Sequence, residues 1–447
     1  MKNNSACAHH LFILFAACLC ITACGEQAVE VVDAPEEMMP NIVLLVSDDQ
    51  GWTDYGFMGH KHIKTPNLDR LSAEGQTFVR SYLPNSLCAP SLASIITGVY
   101  PRRHKVLGND RMLPTDKPKD KADRRKIRSE RYVPIIDHFK QLNTLPKMLK
   151  EKGYLSFQTG KWWLGNYANG GFDLGMTHGD PARGGRHGDF GLKIGRNGMD
   201  TLFNYIDYAL EEEKPFMVWY APYLPHRPHT PPDSLFQKYL AFTESEHVAK
   251  YWAMCDWFDQ TCGELIDYID DKEQTDNTLF VYVCDNGWEQ KEDKSGYTKV
   301  SKRSPYDLGM RTPIIYKWAG KIEPAFNPHS LGSSLDIVPT ILDLIGIERP
   351  EGLDGINILN KEELEEREVV YGEIYAHDFT TTDSSLYYRT AVTDTYKLII
   401  PDPTNKPGEE VQLFDLKKDP HEQKNLAKEY PEIVASIQEK IDASWRN

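Results

Sequence analysis

Three short apolar runs dominate the hydropathy pattern: 41–46, 215–220 and 278–284. Each is rich in β-branched or aromatic residues and shows almost no polar alternation, the pattern of a strand buried on both faces. Between them, 142–152 and 244–271 repeat apolar residues at helical spacing. Buried strands alternating with helices predict an α/β fold with a mostly parallel central sheet flanked by helices. In such sheets active sites collect beyond the carboxyl ends of the strands.

The pattern changes in four places. Residues 102–131 and 173–200 are poor in apolar positions and read as long loops. The first is dense in Lys and Arg; the second carries His178, Arg183, Arg186, His187, Lys193 and Arg196 among glycines. Beyond residue 360 an acidic run precedes 387–400 and 411–416, which read as antiparallel strands, and a last helix from about Glu429. At the start, Lys2, the apolar stretch Leu11 to Ile21 and the small residues before Cys24 read as a secretory signal. Cys24-Gly25 resembles a bacterial lipobox, so Cys24 is expected to be lipidated. The expected division is a signal over 1–24, an acidic tether over 25–39, a catalytic domain over 40–358 and a small C-terminal α+β subdomain over 359–447. No later apolar run approaches the length that spans a bilayer.

With 40 % hydrophobic and 11 % aromatic residues, the 447-residue chain has the composition of a folded enzyme. Its formal net charge of −15 excludes a globally basic nucleic-acid binder, while an anionic substrate remains compatible because binding follows the local field of a cleft. Beyond Cys24 four cysteines remain: Cys88, Cys255, Cys262 and Cys284. Cys255 and Cys262 are seven positions apart in an expected helix, about 10 Å, too far for a disulfide. Cys255, Cys262 and Cys284 therefore read as core thiols, with no disulfide scaffold and no zinc site.

Candidate chemistry sits at the predicted strand ends. Asp48-Asp49 follows the first strand and Asp285-Asn286 follows another. Two all-oxygen pairs at equivalent strand ends suit a hard cation, Ca²⁺ rather than zinc; an acidic turn with Asp as a helix cap is the alternative. Cys88 precedes a helix expected to start near Pro90, where aligned N–H groups favour an anion. Lys161 stands beside Trp162 and Trp163, and alone would read as a cation–π lysine. His226 lies in the prolyl loop 221–229 and can move a proton near neutral pH; His229 reads as solvent-facing.

The run Cys88-Ala-Pro-Ser-Leu-Ala-Ser-Ile-Ile-Thr-Gly98 resembles the signature of the formylglycine-dependent sulfatases of the alkaline phosphatase superfamily. Thr159 to Gly165, Lys302 to Pro313 and Gln412 to Ala427 are similar to further motifs of that family, in family order. The resemblance implies a sulfatase-like fold and oxidation of Cys88 to formylglycine by a maturation enzyme. It implies Ca²⁺ held by Asp48, Asp49, Asp285, Asn286 and residue 88. Sulfate binding falls to Lys161, His226 and Lys302, with His226 protonating the leaving oxygen, and Arg311 is structural. Two positions depart: Leu92 stands for the family arginine, and Trp163 for a histidine that helps expel sulfate. Trp has only an N–H donor and cannot take a proton. The expected repair packs Leu92 against Trp163 and takes its proton acceptor from a histidine within 173–190. Arg183, Arg186 and His187, with Lys193 and Arg196, are candidates to read further anionic groups of the substrate. The implied activity is removal of sulfate from a sulfated glycan at the bacterial cell envelope, by a protein attached to the membrane through a lipid anchor only. The alternatives are a phosphodiester or phosphonate monoester hydrolase on the same scaffold and an inactive glycan-binding lipoprotein.

Overall fold

In the computed structural model, residues 39–179 and 187–446 are described. Among them nine strands form one sheet: β1 (Asn41–Ser47), β2 (Gln76–Tyr82), β4 (Leu155–Gly160), β5 (Leu174–Gly175), β6 (Phe216–Ala221), β7 (Thr278–Cys284), β8 (Arg311–Lys317), β9 (Ala325–Asn327) and β10 (Gly332–Ser333). The strand order is β10-β2-β8-β7-β1-β6-β4-β5, with β9 also beside β2. Only β8 runs against its neighbours, so the α/β class with a mostly parallel sheet stands.

Both faces of the sheet are buried, which explains the unbroken apolar runs. Ile42, Leu44 and Val46 of β1, with Leu279, Val281 and Val283 of β7, enter one hydrophobic cluster. The helices Cys88–Thr97 and Ile337–Leu344 cover that side through Ile95, Ile96, Val338 and Ile341. Val43, Leu45, Phe280 and Tyr282 point the other way, against Tyr205 and Ile206 of the helix Asp200–Glu211 and Phe258 and Leu265 of Glu246–Asp271.

A second, antiparallel sheet of four strands, ordered β11-β13-β14-β15, comprises β11 (Val370–Tyr375), β13 (Leu386–Val392), β14 (Tyr396–Pro401) and β15 (Gln412–Asp415). The helix Pro431–Arg446 packs on it through Ile437 and Ile441. Two short strands, β3 (Asp110–Arg111) and β12 (Asp378–Phe379), pair with each other.

The structure corrects several boundaries. Residues 102–131 are not one long loop: a helix spans Lys121–Phe139. The Asp120 carboxylate accepts from Ala122 and Asp123 N–H, satisfying free amides of the first turn. Its buried residues, Tyr132, Ile135 and Phe139, all come after position 131, so its first turns carry no apolar signal. The stretch 387–400 is a hairpin, β13 and β14, turning at Thr393, whose N–H donates to Tyr396 O at 2.8 Å. Among the described residues no helix is long and apolar enough to cross a membrane. The signal segment, Cys24, almost all of the tether, Arg183 and Arg186 lie outside the described residues.

Candidate active site

β1 and β7 pair in parallel with Ser47 opposite Cys284, so Asp48-Asp49 and Asp285-Asn286 leave the sheet side by side. On the other side of β1, β6 ends at Ala221 and feeds the loop that carries His226. One strand further, Gly160 ends β4 opposite Ala221. A Cβ on Gly160 would lie 1.7 Å from Ala221 O, and φ there is +71°, so only glycine brings the chain close enough. The next amide, Lys161 N–H, donates to Ala221 O at 2.7 Å and fixes where the lysine starts. Cys88 is the first residue of its helix, which Gly98 ends in a left-handed cap.

The side chains meet in one buried cluster. Lys161 Nζ lies 2.6 Å from Asp48 Oδ1 and 3.1 Å from Cys88 Sγ. Lys302 Nζ is also 3.1 Å from Cys88 Sγ and bonds Asp49 Oδ1. Asn286 Nδ2 donates to Asp49 Oδ1 at 2.7 Å, and His226 Nε2 is 3.4 Å from Asp49 Oδ2. Asp49 adopts a left-handed backbone at φ +68°, held by its N–H on Asp285 Oδ1 at 3.2 Å, a strained conformation of the kind that gathers at functional sites.

Burial is the largest electrostatic influence. It raises Asp48 well above the usual carboxylate range despite Lys161, and it raises Asp285 as well. Asp49 is the exception: burial pushes it up, but Lys302, His226 and Lys161 together hold it below the ordinary range. Burial opposes charge on both lysines, yet Asp48 beside Lys161 and Asp49 beside Lys302 keep both raised. The Cys88 thiol is pushed up to about 12, chiefly by burial, and is therefore neutral near pH 7. His226 is pulled well below the usual imidazole range, again by burial.

The donor set fits a hard cation. Ligand atoms of Asp48, Asp49, Cys88 and His226 lie within 4.8 Å of one another. Asp48 Oδ2, Asp49 Oδ2, Asp285 Oδ2 and Asn286 Oδ1 are buried and accept no hydrogen bond. Three carboxylates face two ammonium groups, so the cluster has spare oxygen ligands.

A cavity of about 310 Å³ opens above this cluster, lined by Asp49, Lys161, His226 and Lys302. Trp163 and His187 also line it, their rings stacked at 5.2 Å and 29°. His187 touches Tyr223, which stacks on His226 at 4.3 Å. Leu92 is buried at 3 % exposure in the same apolar cluster as Trp163.

Several expectations change here. His229 is not solvent-facing: it packs against Tyr251 and Trp288. Arg196 donates to the carbonyls of Tyr223, His226 and Pro228 and so braces the loop. Lys193 lies beside Phe190 on a different cavity. Arg311 donates to Val79 O and lies over the Trp52 ring at 3.9 Å, a structural position. Cys255, Cys262 and Cys284 are free, buried thiols. Sequence reasoning missed Tyr223, Trp288, Asn109 and His377 as cavity walls. The first two flank motifs already recognised, whereas His377 has no local signal.

The sulfatase family profile matches residues 40–347. The chain belongs to the sulfatase family. It is a sulfuric ester hydrolase. A second profile, N-sulphoglucosamine sulphohydrolase, C-terminal, matches residues 296–447. The sulfatase is 27 % identical over 406 residues to the N-acetylgalactosamine-6-sulfatase of Canis lupus familiaris, covering 79 % of this chain and 74 % of that protein. It is 24 % identical over 550 residues to the N-acetylgalactosamine-6-O-sulfatase of Bacteroides thetaiotaomicron, covering 99 % of each. Its fold matches that of a protein solved in complex with its substrate D-glucosamine-2-N,6-O-disulfate, with a TM-score of 0.67 and 20 % identity over 91 % of this chain and 98 % of the other.

Proposed function

We propose that this sulfatase removes sulfate from a sulfated carbohydrate, with residue 88 as formylglycine and Ca²⁺ held by Asp48, Asp49, Asp285, Asn286 and residue 88. The observation that carries this reading is the meeting at Cys88: two ammonium groups at 3.1 Å from its sulfur, beside four buried oxygens that accept no hydrogen bond. The sugar reading rests on the relatives, two of which are named for sulfatase action on N-acetylgalactosamine.

When bound, the cation would polarise a sulfate oxygen, and the oxidised residue 88 would supply the attacking hydroxyl. The chain's own side chains do the rest. Lys161 and Lys302, both buried at the floor of the cavity, neutralise charge on the sulfate oxygens. His226 sits at the cavity wall, 3.4 Å from Asp49 Oδ2, placed to hand a proton to the leaving oxygen. Trp163 cannot accept a proton, and His187, stacked on it, is the histidine of 173–190 that lines the cavity and takes that role. The domain division stated above, with the C-terminal part beginning near residue 359, and anchoring at the cell envelope through Cys24 belong to the same reading.

Mass spectrometry of the tryptic peptide Ser81–Arg102, from protein made with maturation enzymes, tests it. Formylglycine at position 88 together with hydrolysis of an aryl sulfate faster than of aryl phosphate esters is the expected result. An intact thiol in protein from the native host, or a preference for phosphodiesters, overturns it.

A further inference from the structure

His377 stands far from every recognised motif in sequence, yet it lines the same cavity as Lys161 and Lys302. It reaches the cavity because two distant segments are pinned together. β12 pairs with β3 so that Asp378 lies opposite Asp110, and Asp110 N–H donates to His377 O at 3.2 Å. A Cβ on Gly108 would lie 2.6 Å from His377 O and 2.5 Å from Ala376 O, so glycine at 108 is what admits this approach. The same loop touches the start of the Cys88 helix, where Asn109 Oδ1 accepts from Ala89 N–H at 2.9 Å.

The ring is oriented. Its Nδ1 is 2.5 Å from Asp378 Oδ1, and since a carboxylate only accepts, Nδ1 carries the proton. In the neutral ring Nε2 is then the acceptor, the arrangement by which a carboxylate fixes the tautomer of a working histidine. Arg128 occupies the other side of the network, at 2.7 Å from Asp378 and 3.2 Å from Asp110. That guanidinium uses the carboxylate oxygens a metal ion would need, so His377, Asp110 and Asp378 are a braced imidazole rather than a second cation site. Elsewhere the cavity offers mainly hydrogen-bond donors: Lys161, Lys302, Arg227 and Arg303. The two carboxylates behind His377 make its corner a poor place for a second anion.

We propose that His377 is a substrate-binding residue that accepts a hydrogen bond from a neutral hydroxyl of the sugar carrying the sulfate ester, with Asp378 as its positioning residue. This rests on the carbohydrate sulfatase reading above.

The test compares mature wild type and His377→Ala on 4-nitrophenyl sulfate, which has no sugar hydroxyl, and on singly O-sulfated N-acetylgalactosamine, galactose and N-acetylglucosamine. Loss of one such hydrogen bond predicts about a tenfold fall in kcat/KM on the preferred sugar, mostly through KM. The aryl sulfate should change less than about threefold, because the mature nucleophile and the sulfate contacts are untouched. His377→Gln, which keeps an acceptor oxygen, should recover part of the loss and guards against a variant that merely misfolds. Equal losses on both substrates, or none on either, overturn the proposal and leave the sulfatase reading standing. A wild type that hydrolyses the aryl sulfate but no sugar also overturns it. A mature wild type inactive on every ester removes the function reading itself.

Discussion

Two buried charge clusters of similar make-up behave differently. Behind the four-stranded sheet, Lys397 Nζ bridges Asp307 Oδ1 at 2.8 Å and Glu422 Oε1 at 2.9 Å. The remaining oxygens are also used: Asp307 Oδ2 accepts from Tyr82 at 3.2 Å, and Glu422 Oε2 from Asp307 N–H at 2.6 Å. Arg311, 3.9 Å from Asp307, balances the charge. Only Glu422 Oε1 lacks a hydrogen bond there, and Lys397 still faces it at 2.9 Å, whereas at Cys88 four oxygens lack one and carboxylates outnumber the ammonium groups by one. A closed cluster ties two parts of a chain together; an open one has room for a ligand. Burial of charge alone does not distinguish them, and the accounting of each oxygen does.

The largest expected effect is on the closed cluster. Lys397→Met leaves two acids buried without their cation and should cost about 3–5 kcal/mol in chemical unfolding, while activity per folded molecule is kept. A similar loss of turnover would mean that the cluster is not purely structural. Next, Lys302→Ala at the open cluster should lower kcat on an aryl sulfate by about 10²–10³-fold and destabilise less than Lys397→Met, since Lys161 and His226 still face Asp49; the reverse profile would break the comparison.

Chelation separates the two more finely. Removing the proposed Ca²⁺, supplied at a hundred times its Kd, should lower stability by about 2.7 kcal/mol. Asp285→Asn should abolish that shift, and Lys397→Met should retain it. The smallest effect uses a buried group in neither cluster. His104, whose Nε2 is 3.0 Å from Ser94 Oγ, is pulled down to about 3, mainly by burial. The unfolded chain, with an ordinary imidazole near 6.5, then binds more protons than the folded one between those values, so stability rises with pH across that window. Acidifying from pH 7 to 6 should cost on the order of 0.7 kcal/mol, and His104→Gln should flatten that slope in thermal melts.

The central strands were readable because sheets buried on both faces demand continuous apolar runs, and β1, β6 and β7 have them. β4 was not, because its Ser156, Gln158 and Thr159 are polar yet fully buried. Its Thr159 Oγ1 finds Trp219 O at 2.9 Å, a satisfaction that only packing reveals. The helix Lys121–Phe139 was hidden because a half-exposed amphipathic helix with a charged first half resembles a solvated loop. At the site, the acid pairs and Cys88 stood at a strand end or a helix start, whereas Lys161 and Lys302 were found through their resemblance to family motifs. His377 and Arg128 carried no such mark, since their meaning lies in a strand pair of two residues each.

By itself the sequence determined the family and the α/β class, because strand-end motifs and apolar runs are local. It also placed acid pairs after two buried strands. Only the tertiary structure decided which oxygens of those acids are left open. That depends on side chains far apart in sequence, such as the Asp49 amide that takes one oxygen of Asp285, 236 positions away, and Lys161, which takes one of Asp48. Hydrogen bonds are short and directional, so the surplus that makes a ligand site appears only once the partners have been packed together.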